Sequence, residues 1–135
     1  RQAFDFLGKM DAIRAKAKLA LELDASMPVL VEGPALQWRA ARHPLLFLAF
    51  KKDRRTVVPL HVTLTDRERF LIISGPNAGG KSVCLKTVGL VQYMLQCGLL
   101  VPLHPDSTMG LFDSLLLDIG DQQSIENDLS TYSSH

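Results

Sequence analysis

Residues 75–82 read GPNAGGKS: Gly75, four intervening residues, then Gly80, Lys81 and Ser82. This is the G-x-x-x-x-G-K-[ST] spacing of a phosphate-binding loop, the Walker A pattern. Each residue type answers a chemical need. A polyphosphate is held mainly by backbone N–H groups, and glycine lets the chain approach and turn where a Cβ would clash. A helix starting at the loop adds the partial positive charge of its N-terminus. Lys81 is placed to reach β- and γ-phosphates, and the Ser82 hydroxyl to ligate Mg²⁺. The backbone of Gly75, Pro76, Asn77, Ala78, Gly79 and Gly80 completes the cradle. The implied ligand is ATP or ADP with Mg²⁺. The competing reading is a glycine turn with an incidental lysine.

Strand, loop and helix must follow in that order for the pattern to work, and the flanks offer it. RFLIIS (69–74) is a short apolar run that predicts a buried strand. KSVCLKTVGLVQYMLQCGLL places Val83, Val88, Val91, Met94 and Leu95 at broadly helical intervals, with Gly98 as the stop. Upstream, residues 1–25 carry Phe6, Met10, Ile13, Ala17 and Leu21 in a stripe with Lys and Arg between, which predicts an amphipathic helix packed on something. A β-like run from Val29 to Val31 ends in a Gly-Pro break, and ALQWRAARHPLL follows, with Trp38 expected inside and Pro44 ending any regular element. The cationic cluster from Lys51 to Arg55 reads as an exposed hairpin or loop. His61, Thr63 and Thr65 alternate with Val62 and Leu64 as a strand with one wet face, and DRER (66–69) is a turn. Beyond the helix, Pro102 and Pro105 mark irregular chain, and Met109 to Asp118 reads as a further strand. The expectation is an α/β fold on a mixed sheet.

Composition narrows the function. With 135 residues, 47% hydrophobic and 21% charged, the chain is one globular domain's worth or part of a larger one. A net charge of +1 lacks the basic footprint of a self-sufficient nucleic-acid binder. Cys84 and Cys97 have no metal-ligand spacing and are expected to be reduced and buried, and His43, His61, His104 and His135 are scattered. No apolar run spans a bilayer and no signal peptide is seen, so cytoplasm is the default. SLLLDIGD (114–121) ends an apolar run at Asp118, a candidate Mg²⁺ ligand in the manner of a Walker B strand.

GPNAGGKS, with Asn77 inside the loop, resembles the MutS family, whose loops read GPN-x-GGK-[ST]. ARHPLL (41–46) is similar to that family's R-H-P segment, Val101-Pro102 to a dipeptide after its loop helix, and IGDQQSIENDLSTYSSH (119–135) to its stretch from I-G to S-T-[FY]. The Q-S-I and S-T-Y-S-S-H forms look most like the branch that lacks mismatch-recognition domains and carries a Smr nuclease domain. The resemblance covers residues 27–135, and residues 1–26 would end the helical clamp and lever core. It implies the first part of an ABC-type P-loop ATPase domain, a homodimer with ATP sandwiched between subunits, and a DNA partner bound through other parts of the protein. It implies that Ser130 is the signature serine reaching the γ-phosphate of the other subunit, and that Asn77 lies by the terminal phosphate. TVVPL (56–60) matches the adenine-side segment, which makes Val57 a candidate base contact. The family's Walker B strand, catalytic glutamate and switch histidine would lie beyond position 135, which demotes Asp118 as a metal ligand.

Local readings compete with these roles: a turn serine at Ser130, a turn asparagine at Asn77 and a buried strand valine at Val57. Among functions, the alternatives are another ABC-type ATPase and a P-loop kinase using Asp118. An ABC transporter would need a glycine-bearing signature after a longer helical insert, and LSTYSSH arrives too early without those glycines.

Overall fold

The computed structural model describes residues 2–75 and 80–118. In chain order the elements are α1 (Gln2–Leu23), β1 (Val29–Val31), β2 (Leu36–Ala41), α2 (Pro44–Lys52), β3 (Leu60–Leu64), α3 (Lys81–Gln96) and β4 (Thr108–Gly110). The strands form one sheet in the order β1-β4-β2-β3. β4 runs parallel to β1 and antiparallel to β2, and β2 runs antiparallel to β3. The fold is therefore α/β on a mixed sheet, as the order of apolar runs led us to expect.

One face of the sheet makes the core. Leu36, Trp38, Val62 and Met109 project from the strands onto Val91, Met94 and Leu95 of α3, with Leu23 of α1 and Val101 and Leu103 closing the cluster. Trp38, expected inside, is 2% exposed. In β3, Val62 is buried between exposed His61 and Thr63, the alternation of a strand with one wet face. The pairing of β2 with β3 slips between Trp38 and Ala41, and Ala40 adopts φ +51° there. An extra residue in one strand is a β-bulge, and it turns the chain toward Arg42 and His43.

Pro44 starts an element where an end was expected. It occupies the first turn of α2, whose N-cap His43 accepts the Leu46 N–H through Nδ1 at 3.4 Å. The N–H that proline lacks would be unpaired in a first turn anyway, so the residue that breaks a helix interior begins this one at no cost. Lys51 and Lys52 then lie in the last turn of α2, favourable beside its carbonyl end, with Asp53 as C-cap. The cationic cluster is exposed as expected; of the hairpin or loop foreseen for it, Lys51 and Lys52 instead end α2 and residues 53–55 form the turn and loop that follow.

Three other expectations change. Residues 69–74 form no strand: they pair with nothing in the sheet, and Phe70 and Ile72 are 92% and 89% exposed. An apolar run becomes a strand only where a neighbour takes its backbone hydrogen bonds, and the described residues offer none. The strand expected from Met109 to Asp118 is confined to Thr108–Gly110. On α1 the helix forms, but Phe6, Met10, Ile13 and Leu21 stay exposed, and the contact with the core is made by Leu19 and Leu23 near its end.

Candidate functional site

Of the expected order of strand, loop and helix, the described residues provide the helix: residues 69–74 form no strand, and α3 begins at Lys81. Gly80 is the N-cap, at φ +77°, a left-handed conformation that costs an L-residue roughly 1–2 kcal/mol and glycine almost nothing. It supplies no side chain to bond the first-turn N–H groups, groups that have no partner within a helix. Gly75, at the other end of the loop, also has positive φ, +151°. Lys81 is the first residue of the helix and folds back so that Nζ donates to the Gly75 carbonyl at 2.5 Å. The first and seventh positions of the motif are thus drawn together, with the ammonium held at the mouth of the loop. Ser82, half-buried, follows in the same turn. This arrangement suits an anion: a cation, a helix N-terminus and glycine backbone converge on one place. Pro76, Asn77, Ala78, Gly79 and Ser130 lie outside the described residues.

α3 must be rigid to present the loop, and its far end shows how. Gly98 takes φ +71° and donates to Leu95 O at 2.8 Å, while the Leu99 N–H reaches Met94 O at 3.0 Å. That pair of bonds is a Schellman motif, and it is the stop that Gly98 announced. Lys16 of α1 adds its ammonium to the Cys97 and Gly98 carbonyls at 3.4 and 3.3 Å, the end of the helix dipole that favours a cation. Val91, Met94 and Leu95 are buried, whereas Val83 and Val88 are half-buried.

Val57 is half-buried, three residues before β3. It lines a pocket of ≈ 340 Å³ with Pro59, Ala40, Arg42, Asp24 and His104, and none of Gly75, Gly80, Lys81 or Ser82 borders it. Arg42 and Asp24 pair across its rim at 3.0 Å. Asp118 is exposed and follows Leu117, whose side chain rests on Gly89 of α3. Among the described residues, no three His, Cys, Asp or Glu side chains group as a metal site, and no helix is long and apolar enough to cross a membrane. Cys84, one turn into α3, is held above the usual thiol range by burial; Cys97, also expected inside, is instead exposed, as the C-cap at the end of the helix.

Sequence reasoning passed over Gln92 and Gln96. Gln92 is 2% exposed on α3, and its Nε2 donates to Gly110 O at 2.8 Å and to Gln96 Oε1 at 3.0 Å. Gln96 in turn accepts the Phe112 N–H at 3.2 Å and donates to Phe112 O at 3.1 Å. The one signal was a pair of amides four apart in a helix whose neighbours Val91 and Leu95 face inward.

Residues 71–135 match the family described as MutS domain V. Proteins called endonuclease MutS2 align over nearly the whole chain. The one from Finegoldia magna is 48% identical over 97% of this chain, that from Thermomicrobium roseum 50% over 93%, and that from Carboxydothermus hydrogenoformans 46% over 100%. The chain belongs to the MutS family. Its similarity is to the MutS2-like branch, and the resemblance carried by GPNAGGKS, ARHPLL and the Q-S-I segment stands. The chain spans about 16% of the length of these relatives.

Proposed function

We propose that this chain is the nucleotide-binding part of a MutS2-type, DNA-acting ATPase, holding ATP or ADP at residues 75–82. The observation that carries the proposal is the closed motif: Lys81 Nζ on the Gly75 carbonyl, beside a helix that starts at a left-handed Gly80. Lys81 would neutralise the β- and γ-phosphates, the loop backbone would bond their oxygens, and Ser82 would hold Mg²⁺. Magnesium would supply charge neutralisation across the phosphates. Asn77 by the terminal phosphate, Val57 at the base, Ser130 acting across a homodimer, and DNA contacts made by other parts of the protein complete the reading. The whole protein would also be an endonuclease, as its MutS2 relatives are named. Calorimetric titration tests it. ATP and ADP with Mg²⁺ should bind while adenosine does not, and equal affinity for adenosine and ATP would remove the loop from the account.

The P-loop kinase reading rests on Asp118. An exposed carboxylate following a leucine packed two turns into α3 gives it little support. Phosphate release by the chain alone should stay near background and be indifferent to Asp118→Asn. Turnover that Asp118→Asn abolishes would restore the kinase-like order.

A further inference from the structure

Gly89, Gln92 and Gln96 follow one another at intervals of three and four along α3 and so share one face. Residues 110–117 are laid along that face. β4 leaves the sheet at Gly110, and from there the hydrogen bonds that a neighbouring strand would supply come from side-chain amides. Gln92 takes the Gly110 carbonyl, and Gln96 takes both the N–H and the C=O of Phe112. The amide orientations are determined: a flipped Gln92 would set its oxygen against two acceptors. The segment then runs back toward the loop. Phe112 is held at Gln96, whereas Leu117 lies at Gly89, where a Cβ would come within 2.8 Å of Leu117 Cδ2. Those anchor points are about 10 Å apart along the helix axis at 1.5 Å per residue. Beyond Phe112, which reaches the core, residues 113–118 are exposed and unpaired with the sheet.

We propose that this face of α3 is a clasp coupling occupation of the phosphate-binding loop to the order of residues 110–118. The inference rests on the nucleotide reading above and adds a regulatory link to it. A polyphosphate bonded to the first turn of α3 damps the motion of that helix, and a segment fastened to the helix at three points is damped with it. The coupling is reciprocal: releasing the segment loosens the helix that presents the loop.

Hydrogen exchange read by mass spectrometry, with and without ADP and Mg²⁺, tests this on the protein, Gln96→Leu and Gly89→Ala. Without nucleotide, Gln96→Leu should speed exchange of the Phe112 amide about tenfold, since its acceptor is gone. With ADP, exchange across residues 110–118 should slow about fivefold or more in the unsubstituted protein. Both variants should lose that slowing while still giving heat on ADP titration. Gly89→Ala raises the helix propensity of α3, so loss of the effect there is not a loss of folding. Unchanged exchange in a protein that binds ADP, or slowing that persists in both variants, overturns the clasp. A flat ADP titration of the unsubstituted protein overturns it together with the nucleotide reading, and the missing heat tells that outcome from the first.

Discussion

Replacing Lys81 by methionine keeps most of the aliphatic stem and removes the charge. A hydrogen bond from an ammonium to phosphate contributes about 1.5–3 kcal/mol. Two features of the structure reduce the net effect. The bond from Lys81 to Gly75 is exposed to solvent, so screening favours the lower end of that range. The ammonium also gives up the Gly75 carbonyl when it turns to a phosphate, at a cost of about 0.5–1 kcal/mol. The remainder is about 0.5–1.5 kcal/mol, so Lys81→Met should weaken ADP binding about 2- to 12-fold. Folding is little affected, because the hydrogen bond lost at Gly75 is exposed to solvent, and the thermal midpoint should move by no more than about 3 °C. Isothermal titration calorimetry in low and moderate salt reads the affinity, and a thermal melt of the same sample reads the fold. Equal affinities for the two proteins at every salt concentration would refute the placement of Lys81 against phosphate. A fall in affinity matched by a collapse of the melt would assign the lysine a structural role instead.

Other expectations follow from particular side chains. Ala40→Gly relieves the left-handed strain at φ +51° in β2 and should stabilise the fold by about 0.5–1 kcal/mol after the entropy of glycine is subtracted; a lower midpoint in urea would show that the Ala40 methyl matters more than its backbone. At pH 8, Cys97 should be alkylated well before Cys84, because burial keeps the Cys84 thiol protonated while Cys97 is exposed; peptide mapping after brief iodoacetamide treatment reads the order. DNA should bind this chain weakly and release it as salt rises toward about 0.2 M. The one cationic cluster, at Lys51–Arg55, has no free ring to stack on a base, since Arg42 lies 4.2 Å from the centre of the Phe47 ring and Lys51 5.7 Å. Tight, salt-resistant retention of branched DNA in a gel shift would contradict that picture.

The local sequence was informative where a residue's conformation is decided by its near neighbours. The helix after the loop, its stop at Gly98 and the wet-faced strand around Val62 depend on periodicity and on glycine's freedom, and both can be read from a few adjacent residues. Pro44 was ambiguous because the same ring ends one helix and begins another, and a side chain at His43 made the choice. The run from Phe70 to Ile73 looked like a strand because its composition is that of one, yet pairing is a property of two segments and cannot be read from one. The same holds for α1, where the stripe announced a helix without saying what would cover it. The bulge at Ala40 carries no glycine to mark it. Gln92 and Gln96 escaped notice because glutamines on a helix are ordinarily solvated, and their burial becomes visible only when residues 110–112 are laid across them.

The seating of Leu19, Ala20 and Leu23 at one end of α1 makes that helix a pointer. α1 is about 33 Å long at 1.5 Å per residue, its last turns are fastened to the core, and the side chains from Ala3 to Lys18 stand in solvent. A rod fixed at one end magnifies rotation into displacement. A tilt of α1 by about 10° about its fastened end would sweep its far end through about 5–6 Å, the pitch of one helical turn. Small changes in how Leu19 and Leu23 seat in the core would therefore be magnified at Phe4 and Phe6.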